Sequence, residues 1–280
     1  MMKQFFKSGA IALIVTFSAA TLTPAHISPV LTEDNASSPH ASLLAAESLA
    51  QGASALPERE EINKSFPLDA NARVEVAGIA GPVNIETTDG NTAQVHIVRM
   101  AQTQRELQCY ETLVKSAANS LSVRHNQFSQ RAGCSSIRSR QEVTLRLPRT
   151  VELDLSYIGG EVNIGVIEGV VRLSSIAGRA VVTQAQAAEI NSLAKGLSLT
   201  LARVSDRGIR IRSVVGLVEL NLARDINTDL RFDNIIGDVR SASNDLAVTR
   251  SGGTYRVRAG SGGALVSVSG INGGVRLGRV

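Results

Sequence analysis

The sequence predicts an all-β protein, a β-solenoid or stacked two-sheet β-repeat with roughly 18–20 residues per coil. Three observations carry that expectation. In "IGGEVNIGVIEGVVRLSSIAGRAVV", which begins at Ile158, Gly160, Gly169 and Gly178 recur nine residues apart, each followed by an apolar-x-apolar triplet. Such pairs run on through Leu153/Leu155, Val162/Ile164, Val171/Leu173, Ala180/Val182, Ala188/Ile190, Leu197/Leu199, Ile209/Ile211, Val218/Leu220 and Leu230/Phe232. Period two inside a triplet marks a strand with one buried face, and the glycines mark turns where a side chain would clash or φ is positive. Third, "VEVAGIAGPVNI" (74–85) lies over "LDLSYIGGEVNI" (153–164) without a gap, so one supersecondary unit occurs at least twice.

A strand of about four residues plus a turn of about five accounts for the interval of nine, and two such units make one coil. Composition agrees. The chain is 43% hydrophobic but only 3% aromatic, with no Trp, which suits thin layers of Val, Ile, Leu and Ala.

Along the chain, "MMKQFFKSGAIALIVTFSAATLTPA" has two lysines, an apolar run and a small-residue end, the pattern of a secretory signal peptide over residues 1–25. Its apolar run is too short for a comfortable membrane span, and no second long apolar segment follows, so no transmembrane anchor is expected in the mature chain. Residues 26–56, rich in Ala and Ser, read as a flexible linker with one short helical piece near "SLLAAESLA". The β-repeat domain is expected over 57–280. Val74 and Val76 open it, and Asp89-Gly90 predicts a tight hairpin joining "VNIE" to "VHIVRM". Residues 101–142 read as an irregular insertion, with a helix over "RELQCYETLVKSAA" and a strand at "LSVRH"; a further strand is expected at "VTLRL". After the triplets, "TYRVRAGSG" and "ALVSVSGINGGVRL" form the last units.

Cys109 and Cys134 are the two cysteines of the chain. In an oxidising compartment they read as a disulfide that staples the insertion, contributing roughly 3 kcal/mol through loop closure. Without Lys3 and Lys7, 27 basic residues face 25 acidic ones, about +2 in all, so no nucleic-acid partner is expected.

No catalytic or metal site emerges. The turns "IGGEV", "IEGVV" and "IAGRA" lack the aspartates of a calcium-binding β-roll. Asp225, Asp229, Asp233 and Asp238 lack ligand spacing and read as solvated turns. His96 and His125 stand without a nucleophile motif, and G-x-S-x-G is absent. No cofactor is expected. The outward triplet centres are more informative: alternation between two faces puts Arg172, Glu189, Arg210 and Arg231 on one face, and Asn163, Val181, Ser198, Glu219 and Arg240 on the other. The first set predicts an alternating charge ladder, or a binding ladder for anionic glycans or phosphates, with Arg210 beside Arg231 as unpaired positive charge.

The blocks "EREEINKSFPLDANARVEVAGIAGPVNIETTDGNTAQVHIVR", "GEVNIGVIEGVVRLSSIAGRAVV" and "GSGGALVSVSGINGGVRL" together resemble the bacterial β-strand-repeat adhesin-like family, a domain family of unknown function. The likeness covers roughly residues 58–280. It implies an exported, non-enzymatic β-repeat domain of the periplasm or cell surface, with an envelope glycan or a surface protein as partner, and no catalytic residues to carry over. An alternative expectation is a periplasmic scaffold or envelope-stress component that takes another protein by strand addition. A β-helix polysaccharide-active enzyme is the least supported reading.

Overall fold

The computed structural model describes residues 56–127, 134 and 139–280; the expected leader and all of the linker but Leu56 lie outside the described residues. The first half of the chain runs β1 (Glu58–Pro67), β2 (Arg73–Ala77), β3 (Val83–Thr88), β4 (Thr92–Ala101), α1 (Gln104–Cys109), β5 (Tyr110–Ala117), β6 (Ser120–Gln127), β7 (Ser139–Pro148) and β8 (Glu152–Ile158). Then come β9 (Val162–Ile176), β10 (Ala180–Leu193), β11 (Leu197–Leu201), β12 (Ile209–Val215), β13 (Val218–Leu222) and β14 (Thr228–Ile236). The last are β15 (Val239–Ser241), β16 (Thr249–Ser251), β17 (Thr254–Ala259), β18 (Leu265–Asn272) and β19 (Val275–Arg279). Among the described residues the fold is mostly β, and these strands join into one mixed sheet of nineteen strands.

Within that sheet the pairings follow two ladders. The first runs β5–β6–β2–β8–β9–β10–β12–β18–β14–β17–β16. The second runs β1–β4–β7–β3–β9–β10–β11–β13–β19–β15. β9 and β10 belong to both, because each carries two apolar triplets in one continuous strand of 15 and 14 residues. A turn was expected between Ile164 and Val171; the backbone instead stays extended there, and Gly169 serves close packing, since a Cβ on it would lie 2.2 Å from Val151 O.

The inward rows are the triplets read from the sequence. Val74, Leu153, Val171, Ala188, Ile209, Val266 and Leu230 are buried along the first ladder; Val83, Val162, Ala180, Leu197, Val218, Val275 and Val239 are buried along the second. Each such Val, Leu or Ile removed from water is worth roughly 1.5–3 kcal/mol before entropy is counted. The gap-free internal repeat turns out to be direct pairing: Val74 lies against Leu153 and Val83 against Val162, in parallel register.

Three local expectations give way to long-range pairing. Asp89-Gly90 turns the chain, but β3 and β4 do not pair: β7 lies between them, parallel to β3 and antiparallel to β4. The parallel pairing sets Val143 and Leu145 over Val83 and Ile85, so in-register burial overrides the turn signal. The expected helix ends at Cys109, and "YETLVKSA" becomes β5, antiparallel to β6 with Val114 against Val123. The stretch 101–142 is therefore not simply irregular: β6 pairs onto β2 and extends the first ladder by one level, and the start of β7, residues 139–142, pairs with β4 in the second.

Strand order departs from chain order at both ends. β18 and β19, the last strands, sit between β12 and β14 and between β13 and β15. Apolar triplets are chemically interchangeable, so spacing alone does not say which level the chain's end will fill.

Candidate functional site

Successive triplets alternate between ladders, so their central residues form two outward rows. The first contains Ser122, Glu75, Asp154, Arg172, Glu189, Arg210, Ser267, Arg231 and Arg256, in that order across adjacent strands. The second contains Thr144, Asn84, Asn163, Val181, Ser198, Glu219, Arg276 and Arg240. Both groupings expected from the sequence are present, each interrupted by one residue of the inserted last strands.

The first three members of the expected ladder meet as neighbours. Glu189 lies in register with Arg172 and with Arg210, at 3.9 Å from Arg172 Nε and 3.4 Å from Arg210 Nη1. Arg172 is held more closely by Glu152, at 3.2 Å, whose other oxygen accepts from Arg207 at 3.0 Å. These guanidinium bonds, Arg207 first and Arg172 second, hold the Glu152 carboxyl below the usual carboxylate range. The fourth member does not join them. Ser267 separates Arg231 from Arg210, and Arg231 instead bonds Asp233 at 2.7 Å within its own strand. The expected adjacency of Arg210 and Arg231 fails because β18 enters between their strands.

Nearer β2 the same row is neutralised. Glu75 and Asp154 stand side by side, but Arg124 bonds Glu75 and Arg73 bonds Asp154, the latter at 2.9 Å. Asp154, Arg172, Ser174, Glu189, Asn191, Arg210 and Arg212 line a shallow depression of about 460 Å³. A second depression, of about 540 Å³, lies over β14, β16 and β17 and is lined by Asp229, Arg231, Thr249, Arg256, Arg258 and Leu265.

Three of the four clustered aspartates are taken up by arginines. Asp229 accepts from Arg258 at 3.0 Å and from the Gly263 N–H at 3.1 Å; Asp233 accepts from Thr254 at 2.7 Å as well as from Arg231; Asp238 lies 2.6 Å from Arg240. Arg258 above all keeps the Asp229 carboxyl below its ordinary range; for Asp233 it is the Thr254 hydroxyl, then Arg231. Among the described residues no three His, Cys, Asp or Glu side chains converge as a metal site.

No family model matches the sequence, and no curated protein does. Among solved structures, the chain is similar to a candidate cell adhesion protein from Clostridium sporogenes, at 12% identity and TM-score 0.45, covering 80% of this chain and 100% of that one. It is also similar to a candidate adhesin from Bacteroides fragilis (11% identity, TM-score 0.32, 80% and 99% covered) and one from Parabacteroides distasonis (9% identity, TM-score 0.27, 79% and 97% covered).

The disulfide joins Cys109, the last residue of α1, to Cys134, with Cα atoms 5.7 Å apart. Both cysteines are buried. His96 is on β4, 3.9 Å from Glu61. His125 is on β6, not in an irregular segment; its Nδ1 is 2.9 Å from Gln141 Nε2, and burial lowers its pKa. Among the described helices none is long and apolar enough to cross a membrane. Sequence reading missed Arg207, which reaches Glu152 from the turn before β12, and Ser267 and Arg276, which enter the rows from the end of the chain. Arg207 gives no periodic signal; the other two are triplet centres whose level depends on long-range order.

Proposed function

We propose that this chain is an exported, non-enzymatic, adhesin-like module of the cell envelope that binds through the outward faces of its two ladders. The observation that carries the reading is the pair of in-register rows, which offer polar side chains at regular strand spacing over many adjacent strands. In this reading each level of the two ladders is one coil, the leader at 1–25 directs export, and the buried Cys109–Cys134 bond suits an oxidising compartment.

The sheet edges favour faces over strand addition. β15 and β16 are three residues each, β1 carries Glu58, Arg59, Glu60, Glu61, Lys64 and Pro67, and β5 carries Glu111 and Lys115. Short, charged or proline-bearing edges are the devices that discourage a further strand. A scaffold that takes its partner by strand addition is therefore the weaker reading.

The test is to present the purified chain to a glycan array and to cell-envelope fractions, with crosslinking in the native cell. Retention of polysaccharide or surface material supports the proposal. Crosslinking to a single protein through β1 or β5 would replace it with the scaffold, and substrate turnover without binding would replace it with an enzyme. Recovery of the chain with residues 1–25 intact in the cytoplasm would remove export.

A further inference from the structure

We propose that the arginine-walled stretch of the first ladder's face, centred on Ser267 and Ser269, binds an acidic polysaccharide through its carboxylate or sulfate groups. This rests on the face-binding reading above and names its ligand class. β12 presents Arg210 and Arg212 in register with Ser267 and Ser269 of β18; on the far side, β14 presents Arg231 against Ser267, and β17 presents Arg256 against Arg231. With strands about 4.8 Å apart, Arg210 and Arg231 stand about 10 Å apart across the serine row. The serines are short and half-buried while the arginines are exposed; the Ser267 hydroxyl forms a floor between the Arg210 and Arg231 guanidinium walls, and Ser269 extends it beside Arg212, with Asp233, already bonded by Arg231 and Thr254, on its far side.

The charge in this stretch is unbalanced. Arg210, Arg212, Arg231, Arg256 and Arg258 face Asp229 and Asp233, both already bonded, and Asp245, which also lines the adjoining depression and is bonded by Arg279. Arg212 and Arg256 enter no salt bridge among the described residues, and Arg210 has only the 3.4 Å contact with Glu189, which Arg172 shares. Guanidinium groups in rows bind carboxylate or sulfate bidentately, and hydroxyls between them suit sugar hydroxyls. The adjoining depression of about 540 Å³ adds Leu265, 48% exposed, as an apolar contact for the C–H face of a pyranose ring.

Other polyanions fit less well. Single-stranded nucleic acid is held by exposed aromatic platforms, whereas Tyr255 on β17 is only partly exposed and has Arg250 stacked on it at 5.0 Å. An anionic membrane surface needs a set of apolar anchors, and Leu265 stands alone on this stretch.

The experiment is calorimetric titration of the purified chain with heparin, polygalacturonate, neutral dextran and a single-stranded oligonucleotide, at several salt concentrations. Heparin or polygalacturonate should bind, weakening as salt rises; dextran should not. The double variant Arg212→Glu with Arg256→Glu should weaken binding by about tenfold or more, and so should Ser267→Asp, which leaves every arginine in place. Arg224→Glu, exposed in the turn after β13 and outside both outward rows, should leave it unchanged; circular dichroism confirms that each variant is folded. Equal loss in Arg224→Glu, no loss in the double variant, no polyanion binding, or tighter binding of the oligonucleotide would each overturn the assignment. If the chain still captures envelope material with the double variant unaffected, this inference fails and the face-binding reading stands; if it captures nothing, both fail.

Discussion

Each turn from the first ladder to the second contains two bends three or four residues apart, and they solve the same problem in opposite ways. At the first bend the backbone enters the left-handed region at Gly78, Tyr157, Ser175, Ser192, Ser213, Asn234 and Gly270, with φ between 53° and 73°. At the second, glycines bring neighbouring backbones together: a Cβ on Gly160 would lie 2.3 Å from Gly81 C, one on Gly178 2.1 Å from Gly160 O, and one on Gly237 1.9 Å from Gly273 O. The first bend restricts φ and leaves room for a side chain; the second leaves no room, and at Gly196, Gly216, Gly237 and Gly273 it requires a positive φ as well. Between them an apolar residue such as Ile79, Ile158, Ile176 or Val214 is buried, which pins both bends to the core.

The largest expected effect follows at the crowded bend. Gly178→Ala places a methyl group inside the Gly160 carbonyl, and only separation of the paired backbones can relieve it, at the expense of the Ala180–Val162 register. Urea unfolding should show a loss of about 3–5 kcal/mol. A loss under about 1 kcal/mol would erase the distinction between the two bends.

At the left-handed bend the effects should be smaller and depend on the side chain. Ser192→Val puts a β-branched residue at φ 61° and should lose about 1–2 kcal/mol. Gly270→Ser copies what the neighbouring β12 carries there, Ser213. Its Cβ would meet nothing closer than Ser213 N at 3.5 Å, so the loss should be about 1 kcal/mol or less. If Gly270→Ser proved as damaging as Gly178→Ala, the left-handed bend would be crowded too and the comparison would break.

The crowded bend was legible in the sequence and the left-handed one was not. Gly160 and Gly178 stand out because a nine-residue interval repeats them, whereas the left-handed position is filled by Gly, Tyr, Ser or Asn and has no constant letter. Only the aligned segments "VAGIAG", "LSYIGG", "LSSIAG", "IRSVVG" and "FDNIIG" show it, one residue before the buried apolar of each turn. The candidate face divides in the same way. Arg172, Glu189 and Arg210 were legible because β9, β10 and β12 come in the same order in the chain and in the first ladder. Arg231 was misplaced because β18, thirty-odd residues later, claims the level between. Periodicity reports what each triplet buries; it does not report the order in which equivalent triplets stack.

The faces between the bends should matter least to stability, and acid tests that. Glu152 accepts from Arg207 and Arg172, and both bonds favour its charged form, so its folded-state pKa lies below the ordinary value. A group shifted in this direction stabilises the fold above its unfolded-state pKa and loses that contribution as pH falls through the folded-state value. Glu152→Gln should therefore lose only about 0.5–1 kcal/mol at neutral pH, since the partners are solvent-screened, and the gap from the parent chain should close in strong acid. Gly178→Ala should show no such closure, because its defect is steric and carries no proton. Glutamine keeps the same methylene stem, so a Glu152→Gln deficit that persisted undiminished into acid would mean that the carboxyl supports β8 without its charge, and the guanidinium bonds would then not be what this row contributes.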